Sequence, residues 1–112
     1  MAFEPILQEI LSHCGIEAVM FVDSEGETIH CCGRYAKDQL QVIGACQGIV
    51  LSAVGRAGLE SEGTVVTLYD RLKILTRRLK DGYFISVIFS NAHFGAVQFS
   101  LEDFCRRLER EL

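Results

Sequence analysis

Apolar residues first recur at helical spacing: Phe3, Ile6, Leu7, Ile10, Leu11 and Cys14 fall on one side of a predicted helix over Phe3–Cys14. Pro5 suits its first turn and Gly15 supplies a stop. The pattern then changes. The apolar run Ala18–Val22 is too short for a helix and rich in β-formers, "DSEG" at Asp23–Gly26 is turn chemistry, and Glu27–Cys32 reads as a returning strand. Lys37 to about Ala57 is a long apolar helix, broken by "ESEG" at Glu60–Gly63. Three strand-like runs follow, Thr64–Tyr69, Leu72–Leu79 and Tyr83–Ser90, with Asp81-Gly82 as a hairpin signal. Asn91 is a plausible N-cap for a last helix carrying Phe94, Val97, Leu101, Phe104, Leu108 and Leu112 as its apolar stripe. The order is α-β-β-α-β-β-β-α. It predicts one α+β domain over 1–112: a five-stranded antiparallel sheet with helices on both faces.

Strand composition orders that sheet. "AVMFV" and "YFISVIF" are apolar on both faces, which marks central strands. If they are neighbours, the outer strands are Glu27–Cys32 and Thr64–Tyr69. The second, "TVVTLY", has no charge and no proline, and soluble proteins normally protect such an edge. Either something covers it or it pairs with another chain.

The long helix poses a second problem. It spends Gly44, Gly48 and Gly55 inside an apolar segment, where each glycine costs roughly 1 kcal/mol relative to alanine. Wound at helical pitch, Gly44, Ala45, Gly48, Ser52 and Gly55 form one side, bordered by Leu40 and Leu51. Val42, Ile43, Cys46, Ile49, Val50, Ala53 and Val54 form the opposite side. A helix on the surface of a monomer should show a broad polar face, and this one does not. The expectation is that the bulky face covers the chain's own sheet and the small-residue strip meets a second copy across a two-fold axis. The expected dimer contacts are Gly44, Gly48, Leu51, Ser52 and Gly55, with Val66 and Leu68 on the bare strand continuing the sheet into the partner. The competing possibility is that the glycines let the helix sit tight on its own sheet. That would leave the bare edge unexplained.

Composition narrows the function. The chain has 112 residues, 49% hydrophobic, and a net charge of -4, against the basic excess usual in nucleic-acid binders. It shows neither a secretory leader nor an apolar run of membrane-spanning length, so no membrane span and a cytoplasmic location are expected. Five irregularly spaced cysteines then read as reduced thiols. Metal binding is disfavoured: Cys31 and Cys32 are adjacent on a strand and point to opposite faces, no Cys-x-x-Cys pair exists, and Cys14, Cys46 and Cys105 sit on apolar helical stripes. The glycines match neither a P-loop nor a dinucleotide fingerprint, so no nucleotide cofactor is expected. Asp23 and Glu25 read as turn residues, and the serines lack a recognisable catalytic set, so no enzymatic activity is expected. Arg71, Lys73, Arg77, Arg78 and Lys80 concentrate positive charge on one hairpin; the favoured reading is a sheet margin balanced by acidic helices, the sharper one a docking patch.

Across its whole length the chain resembles the Roadblock/dynein light-chain domain family, and most of all its short bacterial and archaeal MglB-like members. The residues that carry the likeness are "GIEAVMFVDSEGETI" (Gly15–Ile29), the Gly- and Ala-rich central helix, and "LKILTRRLKDGYFISVIF". The cysteine content departs from the pattern. The resemblance implies a profilin-like fold and a non-enzymatic dimer whose central helices pack together and whose third strands join two sheets. It also implies binding to a small Ras-like GTPase, as activator or scaffold, with Lys37, Gln41 and Arg56 as partner-facing groups. A small-molecule sensor of PAS or GAF type is the alternative; the bulky strands argue for a filled core instead of a ligand cavity.

Overall fold

In the computed structural model, which describes residues 3–13, 15–58, 63–90 and 94–112, the two most apolar strands lie side by side at the centre of the sheet. β1 (Ile16–Val22) pairs with β5 (Phe84–Phe89), setting Val19 opposite Val87 and Phe21 opposite Ile85. β2 (Thr28–Gly33) flanks β1, β4 (Lys73–Arg78) flanks β5, and β3 (Thr64–Leu68) closes the order β2-β1-β5-β4-β3, antiparallel throughout. The predicted architecture, including the two outer strands, is the observed one. Every residue of β5 is buried, as both-faced apolarity requires.

The strands alternate their side chains between two cores. On one face, α1 (Phe3–Leu11) and α3 (Phe94–Arg110) cover Val19, Phe21, Leu75, Ile85, Val87 and Phe89. The other face belongs to α2 (Lys37–Arg56), which covers Ala18, Met20, Val22, Ile74, Phe84 and Ile88. α1 ends at Leu11, earlier than its stripe predicts, in a turn closed by Ser12 N–H on Gln8 O and His13 N–H on Ile10 O. Cys14 and the expected N-cap Asn91 lie outside the described residues.

Two turns fix the hairpins. Asp23 Oδ1 accepts from the amides of Glu25 (2.9 Å) and Glu27 (3.0 Å), a side chain closing its own turn between β1 and β2. Asp81 and Gly82 both take positive φ, 62° and 81°, the backbone that makes Asp-Gly a hairpin signal. The entry to α2 is pinned by Tyr35 Oη donating to Glu17 Oε1 on β1 (2.8 Å), and Ala36 N–H is met by Gln39 Oε1 (3.1 Å).

Candidate docking surface of helix α2 and strand β3

The rotational setting of α2 decides which surface the chain offers. Leu40, Gly44, Gln47 and Leu51 are its buried residues. A Cβ on Gly44 would lie 3.3 Å from Val22 Cγ2, and one on Gly48 3.2 Å from Phe84 Cζ, tighter than ordinary carbon contacts. Gly44, Gly48 and Leu51 therefore face the chain's own sheet, where the sequence reading placed them toward a partner. Ser52 is exposed and Gly55 half-buried. Much of the bulky face looks outward: Val42 is 63% and Ile49 70% exposed, with Cys46 and Ala53 exposed between and beyond them, while Val50 and Val54 are half-buried and Ile43 packs on the inner core. The physical reason is spacing. Glycine lets the helix axis approach the sheet closely, and the larger side chains are left on the far side.

Gln47, which interrupts the apolar pattern, is 1% exposed and inward. Its Oε1 accepts from Thr76 Oγ1 (3.0 Å) and Thr67 Oγ1 (3.2 Å). Thr76 has spent its one proton there, so Ser86, 2.8 Å away, donates to Thr76. These buried groups satisfy one another, as burial demands. The sequence reading missed this network. Its signal was a lone amide in an apolar run, matched by "T" and "S" at inward positions of β4 and β5.

At the sheet's margin, Arg78 N–H donates to Gly63 O and Tyr69 N–H to Leu72 O. In an antiparallel pair the bonding alternates, so Val65 and Thr67 turn their backbone groups to β4, and Thr64, Val66 and Leu68 turn theirs outward. The Val66 side chain packs into the α1/α3 core, while Leu68 is 69% exposed. Beside this edge, on the α2 face, Ile43, Tyr69, Leu72 and Ile74 line an open, largely apolar cleft of about 760 Å³. An apolar helix face, an apolar cleft and a strand edge that no described residue pairs thus lie next to one another.

No protein-family model matches the chain, and no curated protein does. Solved structures do. MglB from Myxococcus xanthus superimposes with a TM-score of 0.79 at 14% identity, over 96% of this chain and 85% of that one. The Roadblock/LC7 domain from Streptomyces avermitilis gives 0.83 at 11%, over 96% and 95%. An MglB with tetrameric arrangement gives 0.78 at 16%, over 96% and 85%. This chain has the Roadblock/LC7 fold.

On that fold the partner-facing candidates separate into two groups. Lys37 and Gln41 stand exposed on the first turns of α2, and Arg56 is its last residue. Nineteen rises of helix put Lys37 and Arg56 about 28 Å apart within one chain. Arg56 lines an open cleft of about 600 Å³ with Ser24, Glu25, Ile49, Ser52 and Arg78. The basic hairpin of this Roadblock fold is partly balanced by α3: Arg77 pairs with Glu102, and Glu109 Oε2 accepts from the Lys80 amide (2.9 Å). Arg71 and Lys73 stay exposed.

The cysteines divide by face. Cys32 packs against the α1/α3 core and Cys31 against the α2 core, the opposite orientations expected of neighbours on a strand. Burial pushes both thiols above their ordinary value, and pushes Cys105 up to about 12. All three are therefore poor nucleophiles at neutral pH. Cys46 lies on the outward apolar stripe of α2, and its thiol is exposed. Among the described residues no group of three or more His, Cys, Asp or Glu side chains is placed to hold a metal ion, and no helix is long and apolar enough to cross a membrane.

Proposed function

We propose that the chain is a homodimeric, non-catalytic member of the Roadblock family that regulates or scaffolds a small Ras-like GTPase in the cytoplasm. The observation that carries the dimer is the outward apolar face of α2, with Val42 63% and Ile49 70% exposed, beside the unpaired edge of β3. A two-fold axis normal to the sheet answers both features. It pairs the two β3 edges, and it lays the two α2 helices antiparallel with their bulky sides in contact. One structural neighbour, an MglB with tetrameric arrangement, accords with self-association. Antiparallel helices also bring Arg56 of one protomer toward Lys37 and Gln41 of the other, so the two separated groups become one polar surface repeated twice.

The GTPase reading rests on the family resemblance and on that composite surface. Its test uses a small GTPase encoded by the same genome, loaded with GDP or with a GTP analogue and passed over the immobilised wild-type dimer. Nucleotide-dependent retention supports a regulator, and retention that ignores the nucleotide supports a scaffold. No retention, with a ligand-dependent rise in melting temperature, refutes the reading in favour of a sensor. Ile49→Glu checks the dimer itself. A charge on the helix pair should yield single chains by light scattering with unchanged circular dichroism, because Ile49 contributes little to the protomer's own core.

A further inference from the structure

Phe99 is the most exposed large apolar residue described, at 84%, and it stands on α3, across the sheet from α2. With Arg77, Gly95, Gln98 and Glu102 it lines an open cleft of about 520 Å³. Arg77, tied to Glu102, is the cross-strand partner of Thr64 at the start of β3, so this cleft lies beside one end of the open edge. Leu68, 69% exposed, is at the other end of the same edge. Within one chain the two apolar groups are unrelated. A two-fold pairing of β3 with its copy changes that. Within β3, Thr64, Val66 and Leu68 offer outward backbone groups, and the register that uses all three is centred on Val66, giving about six new backbone hydrogen bonds. It sets Thr64 opposite the partner's Leu68. Residues directly opposite in a ladder share a face, so Leu68 crosses to the Phe99 cleft of the other protomer.

We infer that Phe99 is a dimer contact that receives the partner's Leu68, sealing the second face of the joined sheet. This rests on the dimer proposed above and adds the register and an element, α3, which that reading leaves outside the interface. The fit is chemical: two exposed apolar side chains that one symmetry operation buries against each other, twice per dimer.

The test is a double-mutant cycle on the dimer dissociation constant of the full chain, measured by sedimentation for wild type, Phe99→Ala, Leu68→Ala and the double variant. Each contact is lost twice, so either single variant should weaken the dimer by roughly 100-fold. The double variant should be little worse than either single one. Melting of the dilute, dissociated variants should match dilute wild type, since both residues are exposed in the protomer. A wild-type chain that stays monomeric at every concentration removes the dimer and this contact together. A wild-type dimer indifferent to Phe99→Ala overturns the contact and leaves the dimer standing. Additive losses overturn the Leu68 pairing, because they put the two residues against different surfaces.

Discussion

Replacing Gly48 by leucine puts a four-carbon side chain where a single Cβ would already stand 3.2 Å from Phe84 Cζ. Phe84 is 4% exposed on the central strand β5, and its ring and Gly48 both border the open cleft of about 600 Å³. A leucine at 48 fits only if the ring swings out into that cleft, exposing itself, or the helix lifts. Lifting partly uncovers Leu40 and Leu51, worth about 2 kcal/mol each when fully buried. It also strains the Gln47 bonds to Thr67 and Thr76, where an unmet buried amide costs about 1–3 kcal/mol. Against this, leucine gains somewhat under about 1 kcal/mol over glycine in helix propensity. The net expected loss is about 3–5 kcal/mol, or a fall in melting temperature of roughly 10–20 °C for a domain of this size. Gly48→Ala should stay within about 1 kcal/mol of wild type, propensity offsetting the ring contact.

The assay is thermal unfolding followed by circular dichroism, with mass by light scattering on the same samples. Loss of a dimer also lowers melting temperature by mass action, so Ile49→Glu serves as the reference that separates the protomers while leaving the inward face intact. Gly48→Leu should melt well below that reference. If it melts with Ile49→Glu and falls to the mass of one chain, Gly48 meets a partner and not Phe84. The rotational setting of α2 would then be wrong by about half a turn.

Two further outcomes follow from the same geometry. Glu17 is held below its ordinary value of 4.5, first by a hydrogen bond from Ser90, then by one from Tyr35, with Arg34 adding attraction. A depressed carboxylate contributes stability that is present above the unfolded pKa and lost as pH falls through the folded one. Glu17→Gln should therefore cost about 1 kcal/mol at neutral pH, with the gap closing in acid well below the usual carboxylate range; a gap that persists there excludes the charge as its cause. Cys46 lies mid-helix, next to Gln47, whose bond to Thr67 sets this part of α2 alongside Val66, the proposed two-fold position. Mild oxidation by diamide should give a covalent dimer that Cys46→Ser abolishes and Cys105→Ser leaves unchanged. A monomeric, unlinked wild type after diamide contradicts the antiparallel helix pair.

Element order and sheet order were legible because they depend on period and on composition, which are local. The uncharged, proline-free run "TVVTLY", both-faced apolarity in "YFISVIF" and the Asp-Gly turn each have one structural meaning, and the observed strands follow them. Phe99 also left a signal: an aromatic residue off the apolar stripe of α3, one turn after Gly95. It is a side chain the protomer does not need, on a helix whose stripe is otherwise complete.

The facing of α2 was not legible in the same way. Periodicity states which residues share a side; it does not state which side is inward when both are apolar. Assigning the bulkier side to the core assumes that burial area alone sets the phase. Here distance sets it as well. Gln47 finds its acceptor role only if the helix lies close to Thr67 and Thr76, and only Gly44 and Gly48 permit that approach. The polar network and the glycines are thus one device, holding α2 down on the sheet. The consequence is an outer surface of Val42, Cys46 and Ile49 that the protomer cannot bury, beside a strand edge it cannot pair. The same close packing that completes the inner core creates the demand for a second chain, so substitutions that loosen α2 from its own sheet should weaken self-association too, even where they touch no residue of the interface.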